Sequence, residues 1–227
     1  MVGLIGGALL SGVAAFTASG QNESAKAQPK STADLQLWRL DCGVVRVNDL
    51  NAFSDVAAYT GRSKQLTNSC YLIRHGTTYM LWDTGLPEAL KGKPTNAKDA
   101  MSATLSVTIM EQLSKIGVSP EQISIVGISH YHADHTGQAA RFPGARLLIG
   151  AGDLLALRSG VDGVDPTPLA GWLTETETAR PAPDKPAAVE TDKDDVATAK
   201  VEGVSGDKDI FGDGSVRMIS LPGHTPG

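Results

Sequence analysis

Four side chains able to grip a metal ion fall within six positions, in the run His130-Tyr131-His132-Ala133-Asp134-His135. Imidazole nitrogen and carboxylate oxygen are the donors that borderline divalent cations such as zinc take. The spacing adds to what the residue types say. In extended or irregular backbone His130 and His132 project the same way and can share one ion. Asp134 and His135 are neighbours and can turn toward a second ion beside the first. A polar turn with fortuitous histidines is the plain alternative, and the density of the cluster argues against it.

His224 is a second anchor. It stands in Pro222-Gly223-His224-Thr225-Pro226-Gly227, a rigid turn after an apolar stretch, which can hold an imidazole at the strand ends where ligands gather in open α/β sheets. An isolated histidine is more commonly a surface residue; beside the cluster, His224 reads as a further ligand. Asp83-Thr84-Gly85 supplies a carboxylate at the end of another apolar run, and Asp83 can orient a ligand imidazole. An Asx turn closing the strand, with Gly85 giving the tight geometry, explains the same residues, and both readings can hold. His75, beside Gly76 in a turn, reads as solvated. A zinc ion lowers the pKa of bound water from about 15.7 to about 7, which supplies hydroxide without a protein nucleophile. The sequence accordingly has no Gly-x-Ser-x-Gly elbow.

The elements that must position these groups follow from periodicity. Leu35–Val47 alternates as a strand, and residues 48–67 read as an irregular loop. Residues 70–74 and 78–82 flank His75-Gly76-Thr77 as a hairpin. Apolar Leu105, Ile109, Leu113 and Ile116 predict a helix over residues 102–116, stopped by Gly117. Residues 123–128 form a short apolar run of the kind buried on both faces, with the metal motif directly behind it. Residues 145–149 read as a strand and 153–158 as a short helix. Residues 159–209 are rich in Pro, Asp, Lys, Thr and Glu, which predicts a surface insert with little core, flexible over about 160–208. Its few apolar residues, Trp172 and Leu173, are candidates to cover the site and touch an acyl chain. A second hairpin follows around Gly212-Asp213-Gly214. Hairpins, then strand–helix alternation, then strands again predict a layered α/β fold with a mixed sheet.

The chain has 227 residues and no internal repeat, the size of one domain with appendages. A formal net charge of −5 without a Lys/Arg cluster argues against a nucleic-acid partner, because phosphate binding needs concentrated positive charge. Residues 2–16 are apolar but shorter than the roughly 20 residues of a stable membrane span. With Ala25-Lys26-Ala27 behind them they read as a signal peptide over residues 1–27, with a mature domain from 28 to 227 that is periplasmic or secreted. Cys42 and Cys70 lie in expected strands without Cys-x-x-Cys spacing; export permits a disulfide, burial as free thiols is equally open, and both residues read as structural.

The His-x-His-x-Asp-His run, with Asp83-Thr84-Gly85 upstream and Pro222-Gly223-His224-Thr225 downstream, resembles the signature of the metallo-β-lactamase superfamily, from about Leu37 to the end. Within it the chain is most similar to the N-acyl homoserine lactonase family, through Leu40-Asp41-Cys42-Gly43, Asn68-Ser69-Cys70-Tyr71-Leu72-Ile73, Met80-Leu81-Trp82-Asp83-Thr84-Gly85-Leu86-Pro87 and Gly127-Ile128-Ser129-His130. The resemblance implies an αββα sandwich with two zinc ions at one edge. His130, His132 and His224 would hold the first ion, and Asp134 and His135 the second. Asp134 would also pass a proton to the leaving alkoxide of a small-molecule lactone or related ester. Flavodiiron-type relatives carry an acidic residue where His132 stands, so the resemblance points to zinc and not iron. The family places a bridging Asp and a last His beyond the position of His224. This sequence has three residues after His224, so both are absent and a C-terminally truncated sandwich is expected. A β-lactamase, a glyoxalase-II-like thioesterase, a phosphodiesterase and a non-catalytic zinc-binding fragment are the other readings.

Overall fold

A computed structural model of the chain describes residues 34–160, 162–173 and 200–227. Strand β1 (Leu35–Val47) pairs antiparallel along its whole length with β2 (Lys64–His75), which turns at Gly76 into β3 (Thr78–Trp82). The short β4 (Met101–Thr104) adds to the outer edge of β1. Helix α1 (Ile109–Ile116) leads to β5 (Ile123–Ile128), which lies parallel to β3. After it come α2 (Ala133–Thr136), β6 (Arg146–Gly150), α3 (Ala151–Ser159) and α4 (Ala170–Leu173). Strand β7 (Val201–Val204) completes a seven-stranded sheet of order β4-β1-β2-β3-β5-β6-β7. Strands β8 (Lys208–Asp209) and β9 (Arg217–Met218) form a separate two-stranded sheet.

The period of two along each strand builds both cores. In β6, Leu147 and Ile149 face the helices with Leu40, Leu72, Leu81, Val126 and Ile128, under Ile109 and Leu113 of α1 and Leu154 and Leu157 of α3. The alternate residues Met80, Ile125 and Leu148 face the other way, under Ile210 and Met218 of the β8–β9 unit. β5 is therefore covered on both sides, as its apolar run predicts. A helix layer, the main sheet and a strip of second sheet are in place as expected of the sandwich; a second helix layer is not among the described residues.

Several expectations need correction. Residues 102–104 are not helical: they pair with Val44–Arg46 on the edge of β1, and that tertiary pairing overrides the helical spacing. The helix starts at Ile109, where Thr108 and Glu111 form a reciprocal capping box, and ends in Gly117 at a φ of 82°. β2 begins at Lys64, inside the expected loop, because β1 is long enough to pair with its polar first half. The ends of the expected insert are folded: Val201–Val204 is a sheet strand, and Leu169 and Trp172 are 1% and 2% exposed. Trp172 donates its indole N–H to the carbonyl of Ala145 at 2.8 Å, so it belongs to the core and does not cover the site. Residues 174–199 and the expected signal peptide lie outside the described residues.

Cys42 and Cys70, left unpaired or paired by the sequence, are joined in a disulfide between β1 and β2. His75 is not simply solvated. Its Nε2 lies 2.7 Å from Asp213 and its ring stacks on Phe211 at 4.1 Å, tying the first hairpin to the second. No described helix is long and apolar enough to cross a membrane.

Candidate metal centre

Parallel pairing of β3 with β5 sets Trp82 opposite Gly127, so the Asp83 turn and the His130 loop leave the sheet side by side. The Asp83 N–H donates to the carbonyl of Gly127 at 2.8 Å, and Asp83 itself holds a φ of 58°, a strained conformation for a residue with a side chain. The strain aims a buried carboxylate at the cluster. Oδ1 accepts from the Ser129 N–H at 2.7 Å, and Oδ2 accepts from the Ser129 hydroxyl at 2.9 Å and from His135 Nδ1 at 2.8 Å. The next residues clamp α2: the Thr84 N–H and hydroxyl both donate to the carbonyl of His135, and Gly137 N–H donates to that of Gly85. Gly85 has a φ of 64°, and a Cβ there would stand 2.6 Å from Cβ of Cys42, so only glycine lets this turn rest on the disulfide. Asn68 donates its amide to the carbonyl of Asp134.

His130, His132, Asp134 and His135 are brought together as their spacing predicts, and His224 joins them from beyond β9. The donor atoms of His130, His132 and His224 lie within 4.8 Å of one another, and so do those of His130, Asp134 and His135. His132 Nδ1 and His224 Nε2 are 3.0 Å apart. The two groups share His130, whose ring stands 4.8 Å from those of His132 and His224 and 4.0 Å from that of His135. Asp83 acts on the cluster through His135, as a second layer of support.

The electrostatics split the cluster in two. Burial and the neighbouring rings of His135, His132 and His224 push His130 down to about 4, and burial with His224 also lowers His132. Both rings are neutral at pH 7, with lone pairs free for a cation. His135 is the opposite case. Burial opposes its charge, but Asp134 and Asp83 outweigh burial and raise it to about 9. The Asp134 carboxyl is lowered, chiefly by its hydrogen bond to His135. Two carboxylates that hold a proton on His135 favour any cation in the same place. With neutral imidazoles on one side and an anionic pair on the other, the donor set fits divalent metal.

Ser129 and Asn68 lie outside the expected set, and so does Asp153, a fully buried carboxylate hydrogen-bonded to Tyr131, Thr225 and Gly227. Ser129 was readable as the residue at the junction of strand and motif. Asp153 had no local signal, since its partners meet it only on closure of the fold. Beside His130 and His224 a cavity of about 260 Å³ is walled by Trp82, Val204, Met218 and Leu221.

Residues 64–227 match the family described as the metallo-beta-lactamase superfamily. Metallo-hydrolase mfmC of Annulohypoxylon moriforme is 28% identical over 166 residues, covering 70% of this chain and 41% of that protein. N-acyl homoserine lactonase AiiB of Agrobacterium fabrum is 28% identical over 128 residues, covering 50% of this chain and 46% of that protein. The chain thus spans less than half the length of these relatives. Among solved structures, a quorum-quenching N-acyl homoserine lactone hydrolase superposes with a TM-score of 0.62 at 19% identity, covering 87% of this chain and 67% of that one, a likeness of fold. A match over most of the sequence, a shared fold and a histidine–aspartate cluster at the ends of β3 and β5 agree: the chain belongs to the metallo-beta-lactamase superfamily.

Proposed function

We propose that this chain is the zinc-holding part of a hydrolase that opens the lactone ring of N-acyl homoserine lactones. The observation that carries the reading is the convergence of His130, His132 and His224 with Asp134 and His135, from segments 92 residues apart at the widest hydrogen-bonded pair. His130, His132 and His224 would hold one ion; Asp134 and His135 would contribute to a second. Zinc, when bound, supplies Lewis acidity and water that ionises near neutral pH.

The chain's own residues do the rest. Asp83 fixes the His135 ring by taking its Nδ1–H, which leaves Nε2 to face the cluster beside Asp134. Asp134, ionised and partly exposed, takes a proton from water as the water oxygen bonds to the lactone carbonyl carbon. It then returns that proton to the ring oxygen as the carbon–oxygen bond breaks. The apolar cavity beside His130 and His224 offers a place for an acyl group. The lactonase relative and the lactonase-like fold support this substrate class. Export to an oxidising compartment belongs to the same reading, and the Cys42–Cys70 disulfide supports it.

A panel of an acyl homoserine lactone, a penicillin, a glutathione thioester and a phosphodiester tests the proposal. Lactone turnover should disappear with chelator and return with zinc. Turnover that survives chelation, or preference for another substrate, would overturn it. The donor cluster by itself also fits a second reading, a zinc-binding chain without turnover, which predicts bound zinc and no hydrolysis of any substrate.

A further inference from the structure

Asp153 is fully buried in the first turn of α3, and among the described residues it has no cationic side chain as ion-pair partner. A buried carboxylate in that position is costly unless hydrogen bonds or a cation compensate it. Its compensation comes from two distant segments. Oδ2 accepts from the Tyr131 N–H at 3.2 Å and from the Thr225 hydroxyl at 3.0 Å, while Oδ1 accepts from the Gly227 N–H at 2.9 Å. Tyr131 lies between His130 and His132, and Thr225 follows His224. One carboxylate oxygen therefore ties together the two stretches of chain that carry the imidazoles.

The surroundings are shaped for this contact. A Cβ on Gly150 would come within 2.6 Å of Gly227, and one on Gly152 within 2.4 Å of the Pro226 carbonyl oxygen. Two glycines thus clear a seat on which residues 225–227 lie, with Asp153 at its centre. Segments separated by 92 residues have no local reason to keep a fixed spacing. The buried carboxylate supplies one.

We propose that Asp153 is a positioning residue that holds His130, His132 and His224 at the separation a single metal ion requires. The inference rests on the metal-binding reading above. Its logic is geometric: three donors point at this carboxylate, and an amide cannot satisfy them all. In Asp153→Asn the NH₂ must face either Gly227 N–H or Tyr131 N–H, so one tether is lost whichever way it turns. Thr225→Val removes the hydroxyl tether alone and leaves the carboxylate and the Tyr131 contact in place.

The test uses the full chain, with zinc affinity measured against a fluorescent chelator and the visible spectrum recorded with cobalt(II). Asp153→Asn should bind zinc about 10- to 100-fold more weakly, with altered cobalt bands. Thr225→Val should shift both in the same direction, and Thr225→Ser should restore them. If Asp153→Asn fails to fold, the Thr225 pair decides. Unchanged zinc affinity and cobalt spectrum in Thr225→Val, with only a lower Tm of the chelator-treated chain, would overturn the proposal and leave Asp153 as ordinary packing. A native chain that takes up neither metal would overturn the metal-binding reading, and this inference with it.

Discussion

The two ends of β3 each hold a histidine–aspartate pair, and they differ in everything around it. At the far end, His75 meets Asp213 at 2.7 Å and stacks on Phe211. At the near end, His135 meets Asp83 at 2.8 Å within reach of His130 and Asp134. The first pair fastens one hairpin to another. The second is one corner of a convergence of five donor side chains from the β5–α2 region and the segment beyond β9. A single carboxylate on an imidazole is therefore not a site; the number of independent segments that aim donors at one point is what separates them.

The comparison breaks most sharply on substitution of the imidazoles themselves. His130→Ala with His132→Ala should reduce zinc affinity by more than about 100-fold, since it would remove two of the three imidazoles proposed to hold the first ion. His75→Ala should leave zinc affinity within about twofold, while costing about 1–2 kcal/mol of stability through the lost stacking and hydrogen bond. Equal effects on zinc would erase the distinction. The carboxylates give the next largest contrast. Asp83→Asn should weaken zinc binding about 10- to 100-fold by releasing the His135 ring, and Asp213→Asn should not change it. Competition against a chelator measures both.

Stability against pH sharpens the near end further. In the unfolded chain a histidine titrates near 6.5, whereas folded His130 titrates at about 4. Between those values the unfolded state binds more protons, so the metal-free chain loses stability as pH falls from 6.5 to 4. His135, held at about 9, binds its proton more tightly when folded, so that contribution is lost as pH rises from 6.5 to 9. Chelator-treated chain should be most stable near pH 6.5, and His135→Gln should flatten the alkaline limb by about 1–2 kcal/mol once partial solvent screening is allowed for. Urea melts across pH check it; an alkaline limb unchanged in His135→Gln would contradict the assignment.

The sequence made some of this legible because the signals were local. Ile123–Ile128 is apolar except for the exposed Ser124 and lies between β3 and β6, so its burial on two faces could be read from the run itself. His130 to His135 sit close enough in sequence for the spacing alone to predict the donor cluster that the fold assembles. What failed depended on partners far along the chain. Leu105 is buried at a helical interval from Ile109, yet the residues before it are drawn into the sheet by β1. Trp172 stands beside Leu169 and Leu173 but is read together with the polar run from Thr174 onward, although its indole donates to Ala145 and its ring fills the core. Asp153 gains its meaning only when α3 has packed against the His130 and His224 segments, so no window of sequence contains the interaction.

Zinc content of the purified full chain, set beside that of the His130→Ala, His132→Ala double variant, tests the central claim most directly. The convergence of imidazoles and carboxylates predicts that the native chain retains zinc through dialysis and that the double variant does not. A native chain free of zinc, or a variant that keeps as much as the native, would contradict it.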